Sequence, residues 1–146
     1  MTEEQVTKSI LKWLIDNDWE IVCFDFPQSG TGHFLHPNGS TEKNKDTINP
    51  DIVAVKNNVC IFLENKDRFF LSDYIKQNKL IVNNNYNNAI NELLKNYSVT
   101  TIYYGIGLPL NKYKNSAVQN RNLVDFILGV SEQGEVNILY GNHSII

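Results

Sequence analysis

The stretch PDIVAVKNNVCIFLENK, residues 50–66, decides the fold. Two runs of β-branched and apolar residues flank Asn57-Asn58, and Asn tolerates the positive φ that a two-residue hairpin loop requires. With that pair as the loop, Lys56 lies opposite Val59 and Asp51 lies directly opposite Glu64. Asp51, Val53, Val55, Cys60, Phe62 and Glu64 then share one face, and Ile52, Ala54, Val59, Ile61 and Leu63 share the other. Both faces are apolar. Such a sheet needs helices above and below it, which is layered α/β architecture. The discord is electrostatic, because like charges directly opposite, with side-chain carbons about 5 Å apart, are unfavourable. Asp51 and Glu64 need a compensating charge.

Working outward, Thr2 and Gln5 form a capping-box pattern, and Val6, Ile10, Trp13 and Leu14 follow at helical spacing, which predicts a helix over 3–16. WEIVCFDF (19–26) reads as a strand stopped by Pro27. A long loop carries the chain to Asp51, and loops of that length are usually functional or disordered. Residues 72–96 predict a helix with a break open near the Asn cluster, and 98–107 predict a strand. The tail reads as two strands joined at SEQG (131–134), with a helix over 122–129 as the alternative. The order is α-β-β-β-α-β plus a C-terminal hairpin, which looks like a spare element for pairing or DNA contact. No repeat or linker divides the chain, so residues 1–146 form one domain.

At 146 residues, the chain buries about two-thirds of its unfolded surface and needs no staple. Cys23 and Cys60 each sit in an apolar run and read as packed thiols. The N-terminus is acidic and polar, and no apolar run approaches a membrane span, so the expectation is a cytoplasmic protein without membrane association. A net charge of -3 and a pI near 5.5 exclude nucleic-acid binding by a global positive field. Binding of that kind must use local patches.

Glu64 and Lys66 are one residue apart at a strand end, so period-two geometry points both to one face, and Asp51 joins them from the neighbouring strand. Two carboxylates beside an ammonium on a rigid sheet suit a hard divalent cation. Mg2+ needs only one or two carboxylates plus substrate phosphate, so Asp51, Glu64 and the Asn65 carbonyl would suffice as ligands, with Lys66 orienting a water. The competing reading is that Glu64 simply pairs with Lys66 or Lys56 and nothing binds, since such ion pairs are common and weak.

Pro50-Asp51 followed by Glu64-Asn65-Lys66 resembles the motif of the PD-(D/E)xK, or restriction-endonuclease-like, nuclease superfamily. The element order over residues 3 to 107 is also similar to that superfamily's α-β-β-β-α-β core, a mixed central sheet flanked by helices. The resemblance implies that Asp51 and Glu64 bind Mg2+, that Lys66 assists the hydrolytic water, and that double-stranded DNA is cut to leave a 5′ phosphate. It also implies a glutamate on the first helix. Glu3, on the apolar stripe with Val6 and Ile10, fits that place better than Glu4, though either could simply favour the helix N-terminus by its dipole.

The helix after the motif lacks a Gln-xxx-Tyr pattern, which speaks against recombination nucleases, and the acidic pI sits poorly with junction resolvases. A small type II restriction endonuclease fits better, and a subunit of this size cuts both strands only as a homodimer. The alternatives are a resolution, repair or mobile-element nuclease, or a nuclease-fold subunit that binds DNA or protein without cutting. Candidate phosphate contacts are Lys43, Lys45, Lys76, Lys79, Lys112, Lys114 and Arg121, and candidate base contacts are Gln28, Asn44, Gln119 and Asn122. His33 and His36 read as ordinary loop residues.

Overall fold

Thr2 starts the first helix as predicted. Its Oγ1 accepts from the Gln5 N–H at 3.1 Å while Gln5 Oε1 accepts from the Thr2 N–H at 2.8 Å, so two orphan donors of α1 (Glu3–Asp16) are satisfied reciprocally. The computed structural model describes residues 1–26, 34–39 and 47–141. After α1, Asp18 takes a left-handed φ of 68°, the chain reverses over buried Trp19, and β1 covers Glu20–Phe24. That is shorter than the strand predicted over 19–26.

The decisive hairpin is β2 (Ile52–Lys56) and β3 (Val59–Asn65), paired antiparallel in the predicted register, with Lys56 opposite Val59 and Ile52 opposite Leu63. Asn57 takes the positive φ of the turn, 57°. The break left open near the Asn cluster is real: one helix, α2 (Leu71–Val82), ends before Asn83-Asn84-Asn85 and another, α3 (Asn87–Leu93), follows. Next comes β4 (Thr101–Pro109), placed later than the predicted 98–107. A helix that the periodicity does not announce, α4 (Leu110–Gln119), starts directly after Pro109, and only its Ala117 is fully buried.

The tail forms two strands, β5 (Phe126–Val130) and β6 (Val136–Tyr140), and a 3-10 turn over Arg121–Leu123 stands where a longer helix was the alternative. This hairpin is not an appendage. All five residues of β5 are buried because it pairs parallel to β4, which makes it an inner strand of one mixed six-stranded sheet in the order β1-β2-β3-β4-β5-β6. A continuous apolar run such as Phe126–Val130 reads as a strand covered on both faces.

The preference for right-handed crossovers sends the two consecutive parallel connections, β3 to β4 and β4 to β5, over one face. The cores agree. Val53, Phe62 and Tyr104 pack with Leu80 of α2 and Ile90 of α3, and Ile106 and Ile127 pack with Ala117 of α4. The opposite face belongs to α1, whose Val6, Ile10 and Leu14 lie on Ile52, Ile61, Leu63 and Phe126. Two glycines of β4 permit this approach. A Cβ at position 105 would collide with the Phe126 ring, and one at 107 would collide with Asn65 Oδ1 and Ile10 Cδ1.

Replacing Gly107 by alanine therefore forces α1 and Asn65 off β4. The expected outcome for Gly107→Ala is a loss of about 1–3 kcal/mol in stability, the usual scale of overpacking, read by denaturant unfolding. An unchanged midpoint would show that α1 does not lean on this strand.

Candidate active site

Asp51 is held from three directions at the mouth of β2. Its N–H donates to the Leu63 carbonyl at 3.0 Å, its carbonyl accepts from the Asp25 N–H at 2.8 Å, and its Oδ2 accepts from the Asn65 N–H at 2.6 Å. Continuing the β2–β3 register puts Glu64 opposite, and both carboxylates are buried, at 7% and 6% exposure. Burial, then the Glu64 charge, drives the Asp51 carboxyl well above the ordinary range; the Asn65 N–H and Lys66 only partly oppose this. Burial also raises Glu64, against the pull of Lys76.

The counter-ion of Glu64 is not one of those expected from the sequence. Lys76, one turn into α2, donates to Glu64 Oε1 at 3.1 Å, whereas Lys56 donates to the Asn17 carbonyl at 2.9 Å. Lys66 is half-buried, with Phe70's ring 6.0 Å from its Nζ. Desolvation works against its charge, but Asp73, Glu3, Glu64 and Asp51 outweigh that and raise its pKa. Lys66 is thus a fixed cation rather than a base. It offers the site a positive charge and N–H donors.

The neighbour of both motif residues turns the other way. The Asn65 amide donates to Thr7 Oγ1 at 3.2 Å on α1, and its strand position pairs with Gly107. This ties α1 to the end of β3. Glu3 lies in the field of the same charges: burial raises its pKa first, Lys66 lowers it, and Asp67, Asp73 and Asp25 raise it further. Glu4 instead faces Lys8 at 3.4 Å. The two glutamates left for comparison by the sequence are therefore separated by the structure, with Glu3 on the site's side.

Three residues at this end went unnoticed in the sequence as site residues. Asp73, in the first turn of α2, is buried, and its Oδ2 has no hydrogen-bond partner. Asp25 follows β1, donates its N–H to Asp51, and accepts from Asn49 Nδ2 at 2.6 Å. Gln77 spans from α2 to the Phe62 and Gly105 carbonyls, at 3.3 and 2.7 Å. The readable signal is a helix face on which Asp73, Gln77 and Leu80 recur at positions i, i+4 and i+7, a buried stripe that carries polar groups.

Among the described residues, no three His, Cys, Asp or Glu side chains gather tightly enough to cage a metal ion alone. A Mg2+ that keeps its waters asks for less, one or two hard oxygen ligands. Asp51 and Glu64 are of that kind, and beside them the buried Asp73 Oδ2 accepts no hydrogen bond from the described residues. The residues fit such an ion.

Of the expected phosphate and base contacts, Gln28, Lys43, Asn44 and Lys45 lie outside the described residues, as does His33. Lys76 and Lys79 line an open groove of about 610 Å3 with Ser72, Thr47, Asn83 and Tyr86. Lys112 lines a smaller one of about 320 Å3 beside Asp67 and Arg68. Lys114 is exposed on α4, and Arg121, beyond the other end of that helix, donates to the Val118 carbonyl at 3.0 Å. Among the described residues of this set, Lys76 is the one that bonds to the carboxylate pair, at Glu64. Comparison with known families, curated proteins and solved structures returns no match to the chain.

The raised Asp51 pKa has a measurable sign. The folded state binds this proton more tightly than the unfolded one, so stability falls as pH rises from the ordinary carboxylate value through the raised one. Asp51→Asn keeps an acceptor for the Asn65 N–H and removes the charge. Thermal unfolding should show it more stable than wild type by about 1–3 kcal/mol near pH 7.5, with the two converging below about pH 4. A destabilised variant at the higher pH would contradict the buried-repulsion account.

Proposed function

We propose that the chain is a Mg2+-dependent endodeoxyribonuclease of the restriction-endonuclease-like kind. Asp51 and Glu64, with the Asn65 carbonyl, hold the ion, Lys66 is the catalytic cation, and Glu3 supports them from α1. The observation that supports this most is the costly one. Two carboxylates are buried against each other at the end of a sheet, with Lys66 two residues past one of them. Structure alone gains little from burying like charges, whereas a site for a divalent cation requires it.

The chemistry follows from these residues. Bound there, Mg2+ would polarise a phosphodiester oxygen and stabilise the negative charge that develops at phosphorus. Lys66, kept protonated by the surrounding carboxylates, donates hydrogen bonds to the attacking water and to the crowded phosphate oxygens. Glu3, whose raised pKa reflects its burial, can take up the water's proton or share in holding the ion. The carboxylates Asp51, Glu64, Asp73 and Glu3 would repel a polyanion, so nucleic acid approaches this end only once a cation is bound.

The mixed α/β sheet with helices on both faces is compatible with such a core. Double-strand cleavage of the restriction type adds a second copy of the chain, since one site cuts one strand. A homodimer on double-stranded DNA is accordingly part of the proposal.

Supercoiled plasmid incubated with Mg2+ tests it. Wild type should nick or linearise the DNA, and Lys66→Ala should slow this by about 100-fold or more. Glu64→Gln should lose it likewise. Discrete fragments would mark a restriction role, and selective nicking of branched substrates would mark resolution. Binding without cleavage under all conditions would leave a DNA-binding subunit and refute the enzyme.

A further inference from the structure

We infer that Lys76 is an exchangeable counter-ion, which occupies Glu64 until a divalent cation takes its place and then turns into the α2 groove to hold a backbone phosphate. This deepens the metal-site reading above and rests on it. Three observations carry it. The ammonium sits 3.1 Å from Glu64 Oε1, the oxygen-bearing group that would ligate the ion, so the two cations compete for one carboxylate. The Lys76 side chain is 40% exposed and the Glu64 side chain 8%, so the lysine can leave while the glutamate cannot. A lysine stem is long and flexible, and it loses little by moving its charge into solvent.

Its other surroundings supply the destination. Lys76 also lines the groove of about 610 Å3 in which Lys79, Ser72 and Asn83 present donors. Lys66 does not play this part: among the described residues the lysine bonded to Glu64 is Lys76, and Lys66 lies only in the field of Asp73, Glu3, Glu64 and Asp51. Lys79 does not either, since it shares the groove without bonding Glu64. The exchange makes metal and nucleic acid bind with positive coupling. The ion releases a cation that the phosphate then uses, and by linkage the phosphate favours the ion.

The signature is a pair of opposite changes. Calorimetric titration with Ca2+ should show Lys76→Met binding the ion about 3- to 5-fold more tightly than wild type, the upper scale of a lost competing ion pair. Fluorescence anisotropy with a duplex oligonucleotide in Ca2+ should show the same variant binding DNA about 3- to 10-fold more weakly. Lys76→Gln, which keeps a hydrogen bond to Glu64, guards against misfolding and should repeat both changes. Lys79→Met should weaken DNA binding and leave Ca2+ affinity within about twofold, which separates competition for Glu64 from loss of positive charge in general.

Equal Ca2+ affinity in wild type and both Lys76 variants would overturn the exchange while leaving the metal site standing. Tighter Ca2+ binding with unchanged DNA affinity would overturn the handover. Failure of wild type and variants alike to bind Ca2+ would remove the metal site itself, and this inference with it.

Discussion

Asp51 and Glu64 are forced together by the register of one hairpin, and their burial makes that proximity expensive. A slip of one residue would move both carboxylates, and every apolar side chain of β2 and β3, to the wrong face. Register is therefore over-determined. The Asn57 turn sets it at one end, and the Asn65 N–H bond to Asp51 Oδ2 closes it at the other. The apolar alternation between them fills two separate cores, one under α1 and one under α2 and α3. The repulsion can persist because no small shift of the strands would relieve it.

What surrounds the pair is best understood as partial compensation. Lys76 answers Glu64, Lys66 lies among the remaining charges, and the Asn65 N–H answers Asp51. Lys76 comes from α2, an element packed independently of the hairpin, whereas the Asn65 N–H belongs to β3 itself and Lys66 directly follows it. The Gln77 amide pins α2 to two strand carbonyls beneath Glu64, and the Thr7–Asn65 bond with the bare Gly107 lets α1 close on β4. Compensation is incomplete, since Asp73 keeps a buried oxygen with no partner and Asp51 remains hard to ionise. The fold thus carries an unrelieved excess of carboxylates at this end of the sheet.

The parts legible in the sequence were those set by local rules. The two-residue turn and alternating faces gave the hairpin its register, the Thr2-xx-Gln5 pattern placed α1, and three consecutive asparagines marked the break between α2 and α3. What escaped depended on partners distant in sequence. LNKYKNSAVQ announces no helix because its one fully buried residue is Ala117, and its position is dictated by β4 and β5. The C-terminal hairpin read as spare because nothing local reveals that β5 pairs with β4. Lys76 read as a candidate phosphate contact, and its pairing with Glu64 went unseen because that partner is twelve residues away across a turn. Asp73 was hidden the same way, on a buried helix face shared with Tyr74, Gln77 and Leu80.

The position of the pair within the sheet accounts for why reactive groups collect there. In open α/β sheets the carboxyl ends of parallel strands face the amino ends of the helices that follow them, and ligands settle in that crevice. Here β3 ends at Asn65 beside Gly107 of β4, and α2 and α4 begin just beyond. Asp73 and Lys112 are borne by the first turns of those helices, Lys76 lies one turn into α2, and Glu3 lies in the first turn of α1. Antiparallel β2 runs the other way, so it delivers its first residues, with Asp51, to the same edge. A wholly parallel sheet would place that strand's beginning at the opposite edge. The mixed topology is what lets an early strand and its hairpin mate each contribute a carboxylate to one point.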